Sequence, residues 1–121
     1  MKTRTFVDLV VWQQAHKFVL SLYQLTKSFP DTERYGLVTQ LRRAGVSVTS
    51  NIAEGYTRFG RKNKAHFYTM SQASLTEIQN QLILSRDLGY ISSENYDRLW
   101  EHTLDIYRML NILIRSVKVN P

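Results

Sequence analysis

Apolar residues recur along most of this chain at steps of three and four, the spacing of one face of an α-helix. The stretch from Gln40 to Gly55 also has β-branched residues, and its run Val46-Ser47-Val48-Thr49 alternates apolar and polar residues as a strand does. A lone strand among helices would leave its backbone groups without partners. Over a longer window the apolar and small positions fit helical steps: Leu37, Leu41, Ala44, Gly45, Val48, Ile52 and Tyr56. We therefore predict a central helix whose small residues permit close neighbours.

The pattern predicts four helices separated by glycine, proline and capping residues. Asp8 and Ser92 are suitable N-caps for the first and last helices, and Gly89 suits the position after the third. The predicted ranges run from Asp8 or Leu9 to Lys27, from Glu33–Gly36 to Gly55–Arg58, from Arg61 to Leu88 and from Ser92 onward. Four helices with short links predict an all-α, up-down-up-down antiparallel four-helix bundle that forms one domain over residues 1–121.

Each helix has a predicted inward face. On the first it is formed by Trp12, Ala15, Val19, Leu22, Tyr23 and Thr26. On the third it is formed by Phe67, Met70, Ser74, Leu75, Ile78, Leu82 and Ser85. On the fourth it is formed by Tyr96, Leu99, Trp100, Thr103, Ile106, Tyr107, Leu110, Leu113, Ile114 and Val117.

Composition narrows the class of protein. The 121 residues include 5 glycines, 2 prolines and no cysteine, which leaves little material for a turn-rich β fold and none for a disulfide or thiolate metal site. No export signal follows Lys2 and Arg4, and no run reaches the roughly 18 to 20 apolar residues of a membrane span. We expect a cytoplasmic protein without a membrane partner.

Charge is concentrated at one end of the predicted bundle, where the chain termini meet the turn between the second and third helices. We call this the basal end. Its basic residues are Lys2, Arg4, Arg58, Arg61, Lys62, Lys64, Arg115 and Lys118, and its acidic residues are Asp8 and Glu54. Their excess of six equals the formal net charge of the chain, +6. Such a surface favours polyanionic partners.

Aromatic residues alternate with these cations between Glu54 and Glu77. They are Tyr56, Phe59, His66, Phe67 and Tyr68. Cations beside aromatic rings suit phosphate contact and base stacking on unpaired nucleic acid. A turn rich in solvated lysines, with Phe67 and Tyr56 in the core, explains the same pattern without a ligand.

Catalytic and metal sites find little support. A di-iron bundle requires Glu-x-x-His on two helices, which does not occur, and the glutamates lie at different heights. His16, His66 and His102 fall on separate helices. Ser47 and Ser50 have no histidine or lysine one helical turn away to activate them. We expect no enzyme, metal, cofactor or small-molecule substrate.

Three pairs of residues are candidates for structural or assembly roles. Asn51 is expected to satisfy buried backbone and Glu54 to pair with Arg58 or a neighbouring subunit, although both could also line an intersubunit site. Arg42 and Arg43 adjoin Ala44 and Gly45, which favours an assembly contact over an exposed ion-pairing face. His16 lies one turn after Trp12, which suggests a hydrogen-bonded packing role.

Several of these stretches resemble one bacterial four-helix-bundle family. The motifs are Val11-Trp12-Gln13-x-Ala15-His16, Gln40-Leu41-Arg42-Arg43-Ala44, Ser50-Asn51-Ile52-Ala53-Glu54-Gly55 and Leu88-Gly89-Tyr90-Ile91. The chain resembles the family whose founding members are encoded by intervening sequences in 23S ribosomal RNA genes. It departs from the pattern at Thr49, where proline is common, at Gly45 for alanine and at Ala73 for glycine, which bears on helix curvature.

The resemblance implies a small cytosolic helical protein that forms a ring of five copies, with a role near RNA and no established enzymatic activity. The accessory proteins of diversity-generating retroelements, which are distantly similar, form basic rings that work with a reverse transcriptase and its RNA. We therefore expect a non-catalytic homo-oligomer that binds RNA or a ribonucleoprotein through Arg58, Arg61, Lys62 and Lys64, assisted by Arg4, Arg115 and Lys118. The alternative is a protein-interaction scaffold, which is favoured by an apparent surplus of aromatic residues: Trp12, Tyr23, Tyr68, Tyr96, Trp100 and Tyr107. Attachment to anionic membrane has less support, because no helix combines a lysine-rich face with a bare apolar one.

Overall fold

The computed structural model describes residues 4–119, and within that range every regular element is helical. Short 3-10 turns precede the first two α-helices. The α-helices are α1 (Val10–Thr26), α2 (Leu37–Thr57), α3 (Arg61–Asp87) and α4 (Ser93–Val119). The predicted all-α class and the four helices are confirmed, with boundaries close to those expected. Gly89 has the positive φ of 81° that a residue after a helix commonly adopts.

The predicted cap of α1 is wrong. Asp8 belongs to a separate 3-10 turn, Phe6–Asp8, whose N-cap is Thr5. Its carboxylate turns back and accepts hydrogen bonds from the backbone N–H groups of Arg4 at 3.0 Å and Thr5 at 3.4 Å. The carboxylate of Asp8 thus caps the 3-10 turn, and α1 begins after Leu9 with no side-chain cap. The predicted N-cap of α4 is confirmed, since the hydroxyl of Ser92 accepts a hydrogen bond from the backbone N–H of Asn95.

Contacts between helices establish an antiparallel square. Between α2 and α3, the hydroxyl of Ser71 donates to the carbonyl of Val48 at 2.8 Å, and the hydroxyls of Ser47 and Ser74 lie 2.8 Å apart. Helices α3 and α4 are joined by hydrogen bonds from Gln72 to Asn111 and from Gln79 to Thr103. Helix α1 closes the square, with Arg42 reaching Thr26 and the ring of Phe18 lying edge-on to His102. In the α2–α3 and α3–α4 pairs residue numbers rise along one helix and fall along the other, as the up-down-up-down order requires.

The inward face of α1 is rotated from the predicted one. Val11 and Phe18 are buried in the core, whereas Trp12 is half-buried and Tyr23 is exposed. Trp12 packs instead against Phe6, with ring centroids 5.3 Å apart. Apolar periodicity therefore predicts the buried face to within one residue. The error arises because Trp12 and Tyr23 were assigned to the centre of that face, whereas they lie at its edge.

Helix α3 departs further from its predicted face. Met70 is exposed, while the polar residues Ser71, Gln72 and Gln81 are buried. Their side chains find partners on neighbouring helices or on the backbone, which removes most of the cost of burying them. Within the described residues, only Oε1 of Gln81 is a buried side-chain oxygen or nitrogen without a hydrogen bond.

The central helix approaches its neighbours closely, as its small residues predict. At Gly55 an added Cβ would lie 2.6 Å from Cε1 of Tyr68 and 3.1 Å from Cβ of Phe67. At Gly45 the nearest atom would be a terminal methyl carbon of Leu22 at 3.1 Å. Helix α2 continues unbroken through Thr49. At Gly55 the side chains of Tyr68 and Phe67 on α3 lie against α2, so the two helices pack closely near the basal end.

Candidate nucleic-acid interface

Three segments meet at the basal end. Nη1 of Arg61, in the first turn of α3, donates a 3.1 Å hydrogen bond to the backbone carbonyl of Lys118 near the end of α4. Phe6, from the N-terminal 3-10 turn, shares a surface groove with Glu54 and Thr57 at the end of α2. The connection between α2 and α3 therefore lies beside both ends of the described chain, as the sequence predicts.

The excess of positive charge lies at this end. Lys2 falls outside the described residues. The basal residues that remain are seven basic, Arg4, Arg58, Arg61, Lys62, Lys64, Arg115 and Lys118, and two acidic, Asp8 and Glu54, an excess of five. Six of the basic residues are exposed and Lys64 is partly buried.

The turn between α2 and α3 is short, because Arg58 ends α2 and Gly60 begins α3 only two residues later. Arg58 leaves α2 in an extended conformation, and Gly60 has a φ of 80°, a value that other residues rarely adopt. Phe59 lies between them and is 95% exposed. A large apolar ring in this position is unusual, since burying it would stabilise the fold.

The predicted pair between Glu54 and Arg58 is confirmed. Nη2 of Arg58 lies 2.9 Å from Oε2 of Glu54, and its guanidinium carbon lies 4.7 Å from the centroid of the Phe67 ring. Both charged side chains are about half exposed, so the pair contributes little to stability. Arg58 is therefore partly neutralised and held against α3.

Lys64 has a structural partner that the sequence does not reveal. Its Nζ donates to the backbone carbonyls of Tyr56 at 2.6 Å and Gly55 at 3.3 Å. These carbonyls belong to the last turn of α2, where the helix lacks internal donors and the helix dipole favours a cation. Lys64 thus caps α2 from the neighbouring helix and is less available to a ligand than predicted.

A shallow groove runs between the start of α3 and the end of α4. Arg61, Lys62, His66 and Lys118 line it. The Lys62 side chain has no partner among residues 4–119, and Arg61 uses one of its five N–H groups on Lys118. This groove, together with Phe59, is the part of the basal end that we call the basal groove.

Arg4 and Arg115 are exposed residues at the same end of the bundle. The Arg4 contact that the structure defines is its backbone N–H to Asp8, and Arg115 precedes Lys118 by one turn of α4. Both are placed to add to the electrostatic field of the groove.

The predicted assembly or motif residues make contacts within the chain. Nε of Arg42 donates to the hydroxyl of Thr26 at 2.9 Å, and its guanidinium covers the Tyr23 ring at 4.6 Å. Arg43 is exposed. Nδ2 of Asn51 donates to the backbone carbonyl of Ser47 at 2.9 Å. Arg42 therefore fastens α2 to α1, and Asn51 satisfies its own helix.

The histidines have separate environments. His16 is exposed and stacks on Trp12, with centroids 4.8 Å apart, so its packing partner is a ring. His102 is partly buried, and that burial lowers its pKa. Across residues 4–119 no three histidine or acidic side chains come together in a way that could hold a metal ion. None of the described helices is both long and apolar enough to cross a membrane.

Comparison with known proteins identifies the type of chain. A family model described as 23S rRNA-intervening sequence protein matches residues 7–112. A protein of unknown function from the S23 ribosomal protein family of Bacteroides thetaiotaomicron has a similar crystal structure, with a TM-score of 0.80 and 20% sequence identity over 88% of this chain and 96% of that one. At that identity the likeness supports the fold. Among curated proteins, none matches.

Proposed function

Since the chain belongs to the family of 23S rRNA-intervening sequence proteins, we propose that it is a non-catalytic RNA-binding protein that uses the basal groove. The observation that carries the proposal is the excess of five positive charges at one end, next to a phenylalanine that is 95% exposed. Phosphates would contact Arg61, Lys62 and Lys118, and an unpaired base would stack on Phe59.

The hydrogen bonds at this end divide the predicted contacts into two groups. Lys64 caps α2 and Arg58 is paired with Glu54, so both support the turn. Arg61, Lys62 and Lys118 remain on the groove with free donors. Arg4 and Arg115 add long-range attraction, which raises the rate of association more than the affinity.

The proposal includes assembly of several copies with their basal ends on one side. Merged grooves would give a broad basic surface, and several weak contacts would bind one RNA through multivalency. Affinity should then fall steeply with salt, because each neutralised phosphate releases counterions.

The test is the binding of a labelled single-stranded RNA across a salt series, for the wild-type chain and for the double variant Arg61→Glu and Lys62→Glu. We expect the variant to lose at least about tenfold in affinity and to show a shallower dependence on salt. The matched control is Lys17→Glu with Arg108→Glu, which makes the same charge change at exposed positions outside the groove. Equal affinity of the groove variant and the wild type would contradict the proposal.

A second candidate function is a protein-interaction scaffold, in which an apolar groove between α1 and α4 makes the oligomer that recruits a protein partner. Leu9, Val10, Met109 and Ile112 line it, and Val10 and Ile112 are each 59% exposed. The surplus of aromatic residues gives less support than expected, because Tyr68 and Tyr96 are buried. Solution mass of Ile112→Glu against wild type tests this candidate. A lower mass supports assembly through the groove, and an unchanged mass contradicts it.

A further inference from the structure

The end of the bundle opposite the basal end carries a pocket of different character. It has a volume of about 340 Å³ and lies where the end of α1, the 3-10 turn Asp31–Glu33 and the start of α2 meet. Lys27, Arg34 and Arg42 line it together with Asp31, Phe29 and Tyr35. We call it the apical pocket. Its size falls in the range of small-ligand sites.

The most constrained cation of the apical pocket is Arg42. Its Nε donates to the buried hydroxyl of Thr26 at 2.9 Å, and its Nη2 donates to the carbonyl of Tyr23 at 3.2 Å. The Tyr23 ring supports the guanidinium from one face at 4.6 Å. Of the five N–H groups of an arginine, three remain for a ligand. A guanidinium already fixed in place loses little conformational entropy when it binds an anion.

The other walls add charge and an aromatic surface. Lys27 and Arg34 bring the cations to three against the single carboxylate of Asp31. Tyr35 is 88% exposed on the rim, while Phe29 forms a buried apolar wall. Cations beside an exposed ring suit a ligand that joins a phosphate to a planar ring.

We propose that the apical pocket binds an organic phosphate of mononucleotide size, with its phosphate on Arg42 and Arg34 and its ring against Tyr35. The sequence does not reveal this pocket, and we expected no small-molecule substrate. Its lining comes from three segments that meet only in the folded chain. The proposal is independent of RNA binding at the basal groove. It also assigns Asp31 an opposing role, since a carboxylate on the rim repels the phosphate.

The experiment is an NMR titration of the isotope-labelled full chain with AMP, with adenosine and inorganic phosphate as separate arms. We expect AMP to shift the signals of Tyr35 and Gly36 and to bind at least about tenfold more tightly than either fragment. Equal affinity for AMP and adenosine would overturn the phosphate contact, and equal affinity for AMP and phosphate would overturn the ring contact.

Variants at exposed positions keep the test clear of folding defects. Arg34→Ala and Tyr35→Ala should each weaken AMP binding by about tenfold, and Asp31→Asn should tighten it. Lys62→Glu in the basal groove is the control and should leave AMP binding unchanged. Loss of AMP binding in Lys62→Glu with retention in Arg34→Ala would move the site to the basal groove and overturn the proposal. RNA binding that survives Arg34→Ala would leave the basal function intact.

Discussion

Arg61 and Lys118 are 57 residues apart in sequence and are joined by a 3.1 Å hydrogen bond from a guanidinium N–H to a backbone carbonyl. The bond links the beginning of α3 to the last turns of α4. It brings the connection between α2 and α3 next to the end of α4, so cations from separate segments share one surface. This surface carries the functional proposal.

Lys62 and Lys64 provide a sharp prediction because they are two residues apart with different surroundings. Lys64→Ala removes the cap on the carbonyls of Gly55 and Tyr56 and should lower the free energy of unfolding by about 1 kcal/mol. Lys62→Ala should leave stability unchanged and weaken RNA binding. Urea denaturation and RNA titration of both variants make the comparison, and the reverse assignment of the two effects would contradict it.

Phe59 should contribute to RNA binding and little to stability. The residue is 95% exposed, so Phe59→Ala removes almost no buried surface. Stacking of a base on an aromatic ring is worth roughly 1–3 kcal/mol, which corresponds to a loss of about fivefold or more for unpaired RNA. Fluorescence anisotropy with single-stranded and duplex RNA checks this prediction. A duplex offers no unpaired base, so equal losses on both ligands would argue against stacking.

Gly55 should tolerate no side chain. In Gly55→Ala the new Cβ would meet the buried ring of Tyr68 at 2.6 Å, and we expect a loss of about 1–3 kcal/mol in the free energy of unfolding. Gly45→Ala is the matched control, because its Cβ would meet a movable methyl group of Leu22 at 3.1 Å and alanine favours the helix. Thermal denaturation of both variants makes the comparison. A lower melting temperature for Gly45→Ala than for Gly55→Ala would contradict a close contact between Gly55 on α2 and Tyr68 on α3.

Tyr68 should make stability depend on pH in alkaline solution. Burial, assisted by Tyr56, raises the pKa of Tyr68 from 10.0 to about 12. The folded state therefore holds this proton more tightly than the unfolded state. The resulting contribution to the free energy of unfolding is complete below the unfolded pKa and is lost as pH rises from the unfolded pKa to the folded pKa. Urea unfolding at about pH 9 and about pH 11 should show a smaller decrease in stability for Tyr68→Phe than for wild type. The exposed Tyr35→Phe should follow the wild type, and a Tyr68→Phe decrease equal to wild type would exclude this cause.

Much of the fold was predictable because helical periodicity and the turn residues are local signals. Gly60 and Gly89 both adopt the positive φ for which glycine is suited, and the breaks between helices fall there or at Pro30. The face of α3 was less predictable, because Ser71 and Gln72 are buried while they donate hydrogen bonds to the backbone carbonyl of Val48 and to the side chain of Asn111. No pattern of apolar residues records that kind of burial.

The candidate site was predictable as a region and less so as a set of contacts. Alternation of helix direction alone places the cations at one end. Which of Lys62 and Lys64 is free depends on which lysine can reach the backbone carbonyls at the end of α2 that lack a helical donor. That depends on how α2 packs on α3, which the local sequence does not specify. Phe59 has a sequence signal, since it is an aromatic residue before a glycine in a charged turn, but the alternation of aromatic residues with cations does not distinguish it from Tyr56 or Phe67.

The most direct measurement is photo-crosslinking of the full chain to a single-stranded RNA with a photoreactive base, followed by mass spectrometry of the crosslinked peptides. If RNA binds in the basal groove, crosslinks form at Phe59 and His66, and crosslinking is lost in the variant that carries Arg61→Glu and Lys62→Glu. Crosslinks confined to the apical pocket or to the middle of the helices, unaffected by that variant, would contradict it.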